Sequence, residues 1–132
     1  MSAVLAWAAA QLCKLFIELL AHHRLDWHRL TGDGGMPSGH AATVVALATA
    51  ALLRYGATSG AFAVSTVLAI IVMHDAMGVR WQAGQHARTI NELLERNDAP
   101  PEALLEELLG HTPLQVAAGA LLGAATAVLY AT

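Results

Sequence analysis

The sequence predicts an all-α integral membrane bundle of four transmembrane helices, with one or two amphipathic helices between the third and fourth spans. Hydrophobic residues make up 56% of the chain and charged residues only 13%, well below the roughly 25% charge typical of soluble domains. Four apolar stretches, each close to the length that crosses a bilayer, alternate with polar segments. A length of 132 residues predicts one domain over 1–132.

The first predicted span, 3–21, carries a polar stripe. Its polar residues recur at intervals of three and four, which places them on one face of a helix. They are Gln11, Lys14, Glu18 and His22. Ionisable groups in a membrane helix face the bundle interior and mark functional sites. A mutually neutralising pair of Lys14 and Glu18 is the alternative explanation.

The segment 34–42 reads Gly-Gly-Met-Pro-Ser-Gly-His-Ala-Ala and follows a polar loop at 22–33. Ser38 is predicted to cap a helix that begins near Gly39 and forms the second span, 41–55. The unpaired amide N–H groups of such a helix start attract anions, phosphate above all. A glycine-rich turn that only caps the helix is the alternative.

The third predicted span, 60–77, follows a tight turn in which Ser59 is the predicted N-cap. The polar segment 79–110 then predicts two amphipathic helices. The apolar face of the first consists of Ala83, Ala87, Ile90 and Leu94, and that of the second of Leu104, Leu105, Leu108 and Leu109.

Thr112 and Pro113 open the fourth predicted span, 113–130, by the rule of an N-cap followed by a first-turn proline. Gly119 and Gly123 have the spacing that suits close helix packing. They are also one candidate contact for a homodimer, because four spans are few to enclose a polar site.

Threading four spans through a membrane places the chemically active residues on one side. That side collects His40, Asp75, Arg80, His86 and His111, while both termini and the turn at Gly56 lie on the other. Five arginines outside the spans fall on the first side and only Arg54 on the second. The positive-inside rule therefore predicts a cytoplasm-facing site in the plasma (inner) membrane.

His40 and His111 each stand at the start of a helix on that side, near the cations Lys14 and Arg80 and the carboxylate of Asp75. A histidine nucleophile needs a neutral ring nitrogen aimed at phosphorus, an acid for the leaving oxygen, and cations for the phosphoryl oxygens. A metal shell is the competing use of these side chains, although no His-Glu-x-x-His spacing is present. The net charge of −3 gives no basic excess for nucleic acid.

Four groups of residues carry a resemblance to a known family. They are Gly-Gly-Met-Pro-Ser-Gly-His at 34–40, Asp-Ala-Met-Gly-Val-Arg at 75–80, Ala-Gly at 83–84 with Asn91, and Leu-Gly-His-Thr-Pro at 109–113 with Gln115 and Val116. In this order they resemble the divergent branch of the type 2 phosphatidic acid phosphatase superfamily, which also contains bacterial acid phosphatases and vanadium haloperoxidases. The resemblance implies a membrane enzyme that hydrolyses a lipid phosphomonoester or diphosphate without an obligatory metal or cofactor.

The Pro-Ser-Gly-His match implies that Ser38 and the Gly39 amide bind phosphate and that His40 is the general acid. Lys14 and Arg80 would hold the phosphoryl group. Lys14 is similar to the lysine of the superfamily's first motif, but Ala21 stands where that motif has arginine, and Arg24 or Arg29 would have to replace it.

The superfamily's third motif places the nucleophilic histidine six positions after an arginine, and counting from Arg80 reaches His86. Val79 and Ile90 depart from the serine and aspartate of that motif. His111 belongs to the divergent branch's own Gly-His-Thr-Pro pattern, so the resemblance favours His111 as nucleophile and keeps His86 as the alternative.

Asp75, or Glu107 one helical turn before His111, would orient the nucleophile. The leading hypothesis is thus a lipid phosphatase working through a phosphohistidine, with a phosphorylated lipid and the membrane as partners. A non-catalytic membrane module that binds an anionic lipid headgroup or a partner protein is the alternative. A metal-dependent membrane enzyme is the third hypothesis.

Overall fold

A computed structural model of the protein describes residues 1–22, 35–98, 100–107 and 109–131. The predicted polar loop beyond residue 22, with Arg24, Arg29 and Gly34, lies outside the described residues, as does Leu108. The described part of the chain is all-helical, with one short 3-10 turn at Pro101–Ala103. Its α-helices are α1 (Ser2–His22), α2 (Gly39–Tyr55), α3 (Gly60–Met77), α4 (Val79–Arg96) and α5 (Pro113–Ala131).

Helices α1, α2, α3 and α5 form a bundle with α2 at its centre, in contact with each of the other three. Its core is built almost entirely from alanine, whose small side chain lets helix backbones approach closely. The buried cluster consists of Ala6, Ala10, Ala42, Ala46 and Ala127.

Gly119 and Gly123 bring the backbone of α5 close to the start of α2. A Cβ atom at Gly119 would collide with the carbonyl oxygen of Ser38, and one at Gly123 with that of Ala42. The predicted close packing at this glycine pair is therefore confirmed. Both glycines face the start of α2 in the same chain, and the homodimer contact stays a prediction.

Within the described ranges, three stretches of helix are long and apolar enough to cross a membrane: Ser2–Leu20, the α3–α4 stretch Gly60–Arg96, and Pro113–Ala131. Helix α2 is not among them, since it has only 17 residues. Its first residue lies beside Trp7 and Gln11 of α1, and α1 continues for about 16 Å beyond Gln11 at 1.5 Å per residue. Helix α2 is short because it begins inside the bundle.

The two ends of the bundle differ in composition. Met1, Arg54 and Tyr130 line one cavity of about 400 Å³, so both termini and the end of α2 meet at one end, as the threading predicts. The other end, called here the histidine end, contains His40, His111 and the end of α3 at Met77.

Helix α4 buries a face that overlaps the predicted one only in part, since it shares Ala87 and the half-buried Leu94 with it. Gly84, Ala87 and Asn91 are its buried residues, whereas Ile90 is 43% exposed and Ala83 is exposed. Gly84 faces the chain that precedes α5: a Cβ there would stand 2.6 Å from the carbonyl oxygen of Glu107. Only a small residue fits at this contact. The periodicity of apolar residues does not predict such a requirement.

The second predicted amphipathic helix is wrong, because residues 104–107 are not helical. Asn91 replaces the helical hydrogen bonds of this segment. Its Nδ2 donates to the carbonyl of Leu105 (2.9 Å) and its Oδ1 accepts from the N–H of Leu105 (2.8 Å). Both backbone groups of Leu105 are thus satisfied by a side chain of α4, and Leu104 and Leu105 remain exposed.

Candidate active site

Ser38 caps α2 as predicted and ties it to α5. Its Oγ accepts from the N–H of Ala41 at 3.3 Å, and its own N–H donates to the carbonyl of Gln115 at 3.0 Å. The side chain is completely buried. The start of α2 is therefore fixed from both sides within the bundle.

Lys14 reaches this start from α1. The residue is only 9% exposed, and its Cδ lies 3.7 Å from the position that a Cβ at Gly35 would take. Gly35 has a φ of 92°, a conformation that favours glycine. The aliphatic part of Lys14 is thereby packed against the turn that leads into α2.

The backbone of His111 is held by the junction between α3 and α4. Its N–H donates to the carbonyl of Ala76 at 2.9 Å. Gly110, with a φ of 81°, lies so close to the backbone of Trp81 that a Cβ there would collide. His111 is only 2% exposed, so its ring is placed within the bundle.

The rings of His40 and His111 are in edge contact. Their centroids are 5.8 Å apart and their planes meet at 61°. The structure therefore brings together the two histidines that begin neighbouring helices. His86 is exposed on α4 and forms no hydrogen bond or ion pair with any residue that the structure describes.

Thr112 and Gln115 form a capping box at the start of α5. The N–H of Thr112 donates to Gln115 Oε1 at 3.0 Å, and the N–H of Gln115 donates to Thr112 Oγ1 at 3.4 Å. Sequence reasoning assigned no role to Gln115, although the Thr-x-x-Gln spacing is the signature of this motif.

The same Gln115 oxygen stands 3.4 Å from Nδ1 of His111. A carboxamide oxygen only accepts hydrogen bonds, so this contact suits the tautomer that carries the proton on Nδ1. The lone pair of the neutral imidazole is then on Nε2. Gln115 thus couples the cap of α5 to the tautomer of His111.

The two carboxylates considered for orienting His111 are engaged elsewhere. Asp75 Oδ2 accepts from Arg80 Nε at 2.8 Å, and both side chains are about two-fifths exposed. Glu107 Oε1 accepts from Asn91 Nδ2 at 2.8 Å. The structure therefore places Asp75 with Arg80, and it places the Gln115 carboxamide at the imidazole.

The fold and this site define the class: an all-helical membrane protein with a histidine pair at two capped helix starts. A model of the Divergent PAP2 family matches residues 1–126, and the chain belongs to that family. It is 42% identical over 137 residues to the uncharacterized membrane protein YuiD of Bacillus subtilis (strain 168), across 93% of this chain and 87% of that protein. With its three apolar helical stretches, the chain is an integral membrane protein. No solved structure matches it.

Proposed function

We propose that the protein is a membrane-embedded lipid phosphatase that hydrolyses a phosphomonoester or diphosphate lipid through a phosphohistidine. The observation that carries the proposal is the edge contact between His40 and His111, at 5.8 Å between centroids, in a member of the divergent PAP2 family. Two histidines are the minimum that this chemistry requires, one as nucleophile and one as acid and base.

In the first step Nε2 of His111 attacks phosphorus and the bond from phosphorus to the lipid oxygen breaks. Protonated His40 gives its proton to that oxygen, so the lipid leaves as an alcohol or, from a diphosphate, as a monophosphate. Gln115 holds the Nδ1 proton of His111 during the attack. The phosphoryl group is then bonded to His111.

In the second step water attacks phosphorus and the phosphorus–nitrogen bond breaks. His40, now neutral, accepts the proton of the water, and inorganic phosphate leaves. Lys14, Arg80, the Ser38 hydroxyl and the Gly39 amide stabilise the charge on the phosphoryl oxygens in both steps. The Ser38 hydroxyl keeps its proton for this purpose because its oxygen serves as acceptor to Ala41.

The ring contact sets a requirement on substrate binding. A nucleophile stands about 3 Å from the atom it attacks, and two imidazoles in edge contact leave no room for a phosphoryl group between them. The substrate phosphate must therefore separate the rings, and a vanadate-bound structure is expected to show a centroid distance above 5.8 Å.

The proposal places the histidine end at the cytoplasmic face of the plasma (inner) membrane, with α2 as a fourth, short span. The arginines outside the apolar segments support this orientation. The substrate would then be a lipid phosphate made inside the cell, such as phosphatidylglycerophosphate or a prenyl phosphate. Metal independence is part of the proposal, as membership of the divergent PAP2 family implies.

The test is phosphate release from these lipids by the purified protein in detergent, with and without EDTA and vanadate. His111→Ala and His40→Ala are each expected to lower the rate about a thousandfold or more. His74→Ala, an exposed histidine of α3, is the matched control, and His86→Ala tests the alternative nucleophile. Acid-labile ³²P on the protein should disappear in His111→Ala. Activity that survives in both His40→Ala and His111→Ala would refute the mechanism.

One observation favours the non-catalytic alternative, in which the site binds an anionic headgroup or a partner protein. The Asp75 carboxylate pairs with Arg80, so the nucleophile has a neutral amide where the superfamily has an acid. Binding of lipid phosphate without turnover and without trapped ³²P would support this alternative.

A further inference from the structure

The Gln11 carboxamide lies beside the recessed start of α2. Gln11 and Lys14 follow one another on the inward face of α1, and each is 9% exposed. Nε2 of Gln11 is 3.6 Å from the position that a Cβ at Gly39 would take, and Cδ1 of Trp7 is 3.5 Å from it. Glycine at position 39 therefore keeps the first turn of α2 within reach of Gln11.

Two polar groups near the start of α2 have no hydrogen-bond partner among the residues that the structure describes. Gln11 Oε1 has no hydrogen-bond donor among the residues that the structure describes. The same part of the chain supplies no acceptor for the N–H of Gly39, a buried residue. Buried polar groups in folded proteins nearly always have partners. A bound group that offers both an acceptor and a donor would satisfy the two.

The chemistry of that group follows from the residues around it. The N–H of Gly39, the dipole of α2 and the Lys14 ammonium favour an anion. Gln11 Oε1 requires a donor. A singly protonated phosphomonoester has unprotonated oxygens and one P–OH group, whereas a sulfate ester, an ionised carboxylate or a phosphodiester offers acceptors only.

We propose that Gln11 determines specificity by accepting a hydrogen bond from the protonated oxygen of a terminal phosphate. The Gly39 amide and Lys14 bind the unprotonated oxygens of the same group. This assignment rests on the proposed function for the location of the phosphate and extends it, because it selects a terminal phosphate over a phosphodiester. The same chemistry is offered by a lipid headgroup and by free phosphate.

The experiment compares methyl phosphate with methyl sulfate at about pH 5, below the second phosphate ionisation near 6. Both are then monoanions of similar shape, and only methyl phosphate has a proton to donate. Calorimetric titration of the full chain in detergent is expected to give a preference for methyl phosphate of about tenfold. Gln11→Met, which keeps the length of the side chain, should abolish the preference.

Gln85→Met is the matched control, since Gln85 is exposed on α4, and it should keep the wild-type preference. If Gln11→Met does not fold, Gln11→Glu replaces it: the carboxylate repels both anions but still accepts from the P–OH group, so the preference for methyl phosphate should persist. A wild-type protein without the preference, or a folded Gln11→Met protein that retains it, would overturn the assignment. A role in packing alone predicts a changed melting temperature and an unchanged preference.

Competition between inorganic phosphate and a short-chain phosphatidic acid distinguishes the two sources of the ligand. Stronger displacement by the lipid assigns the site to a headgroup, and stronger displacement by inorganic phosphate assigns it to the free ion. These binding results do not depend on turnover. If the protein shows the predicted preference but no phosphatase activity, the Gln11 assignment stands and the proposed function is refuted. If the protein is an active phosphatase without the preference, the proposed function stands and the Gln11 assignment is refuted.

Discussion

Helices α2 and α3 begin with the same local chemistry in different surroundings. Ser38 caps α2 and Ser59 caps α3, each accepting from the N–H three residues on, at 3.3 Å and 3.2 Å. Each is followed by a glycine. Gly39 is packed against Trp7 and Gln11, whereas nothing lies within 4 Å of the place where a Cβ at Gly60 would stand.

The comparison shows that one local motif, a serine cap followed by a glycine, stands in two different environments. At the exposed start of α3, Ser59 caps the helix, and no other described side chain lies within 4 Å of a Cβ at Gly60. The buried start of α2 is surrounded by Lys14, Gln11 and His40 from two helices. What distinguishes them is the neighbouring chain, so paired substitutions at the two starts test the difference directly.

The largest expected effect is that of Gly119→Ala. The new Cβ would collide with the carbonyl oxygen of Ser38, a backbone atom that cannot rotate away, and should lower the free energy of unfolding by about 3 kcal/mol. Gly60→Ala is the control: it meets nothing and should raise helix stability by up to about 1 kcal/mol. Thermal unfolding in detergent measures both, and equal melting temperatures would contradict the tight contact of α5 with the start of α2.

Asn91→Ala is expected to cost about 2 kcal/mol, because the buried amide (4% exposed) holds both backbone groups of Leu105. Protease cleavage within 100–107 should also become faster. Asn97→Ala, at the exposed end of the same helix, should change stability by no more than about 0.5 kcal/mol. Unchanged cleavage in Asn91→Ala would show that Asn91 does not anchor the segment leading to His111.

The smallest effect is the difference between Ser38→Ala and Ser59→Ala. Loss of a cap costs about 1 kcal/mol at an accessible start such as that of α3. At Ser38 the N–H of Ala41 would lose its acceptor inside the bundle, which should add about 1 kcal/mol. Chemical denaturation of the two variants measures this difference. The same cost at both positions would mean that water reaches the start of α2.

Several elements could be predicted because local physics decides them. The third helix was predicted at 60–77 and spans Gly60–Met77, and the last was predicted at 113–130 and spans Pro113–Ala131. Serine caps, a first-turn proline and apolar length are sufficient there. The prediction of a second amphipathic helix was wrong because a single side chain, Asn91, takes the backbone hydrogen bonds of Leu105. The periodicity of apolar residues does not reveal such a contact.

The candidate site was predictable in part for the same reason. Resemblance and topology named His40, His111 and Lys14, but the role of Gln115 depends on where the ring of His111 points. Asp75 was predicted to orient the nucleophile, and the structure pairs it with Arg80 five residues along the chain. Which partner a carboxylate takes depends on side-chain distances that residue spacing does not fix.

By itself the sequence determined an all-helical membrane chain, its family, and a serine-capped helix start followed by histidine. Apolar length, capping and motif order are properties of short segments, so the local sequence is sufficient to predict them. The tertiary structure alone decided that α2 begins inside the bundle, that His40 meets His111, and that Gln11 stands at Gly39. These arrangements depend on contacts between segments that are distant in sequence. At Gly119 and Gly123 the backbone of α5 approaches the start of α2 closely, and local sequence patterns do not reveal such a contact.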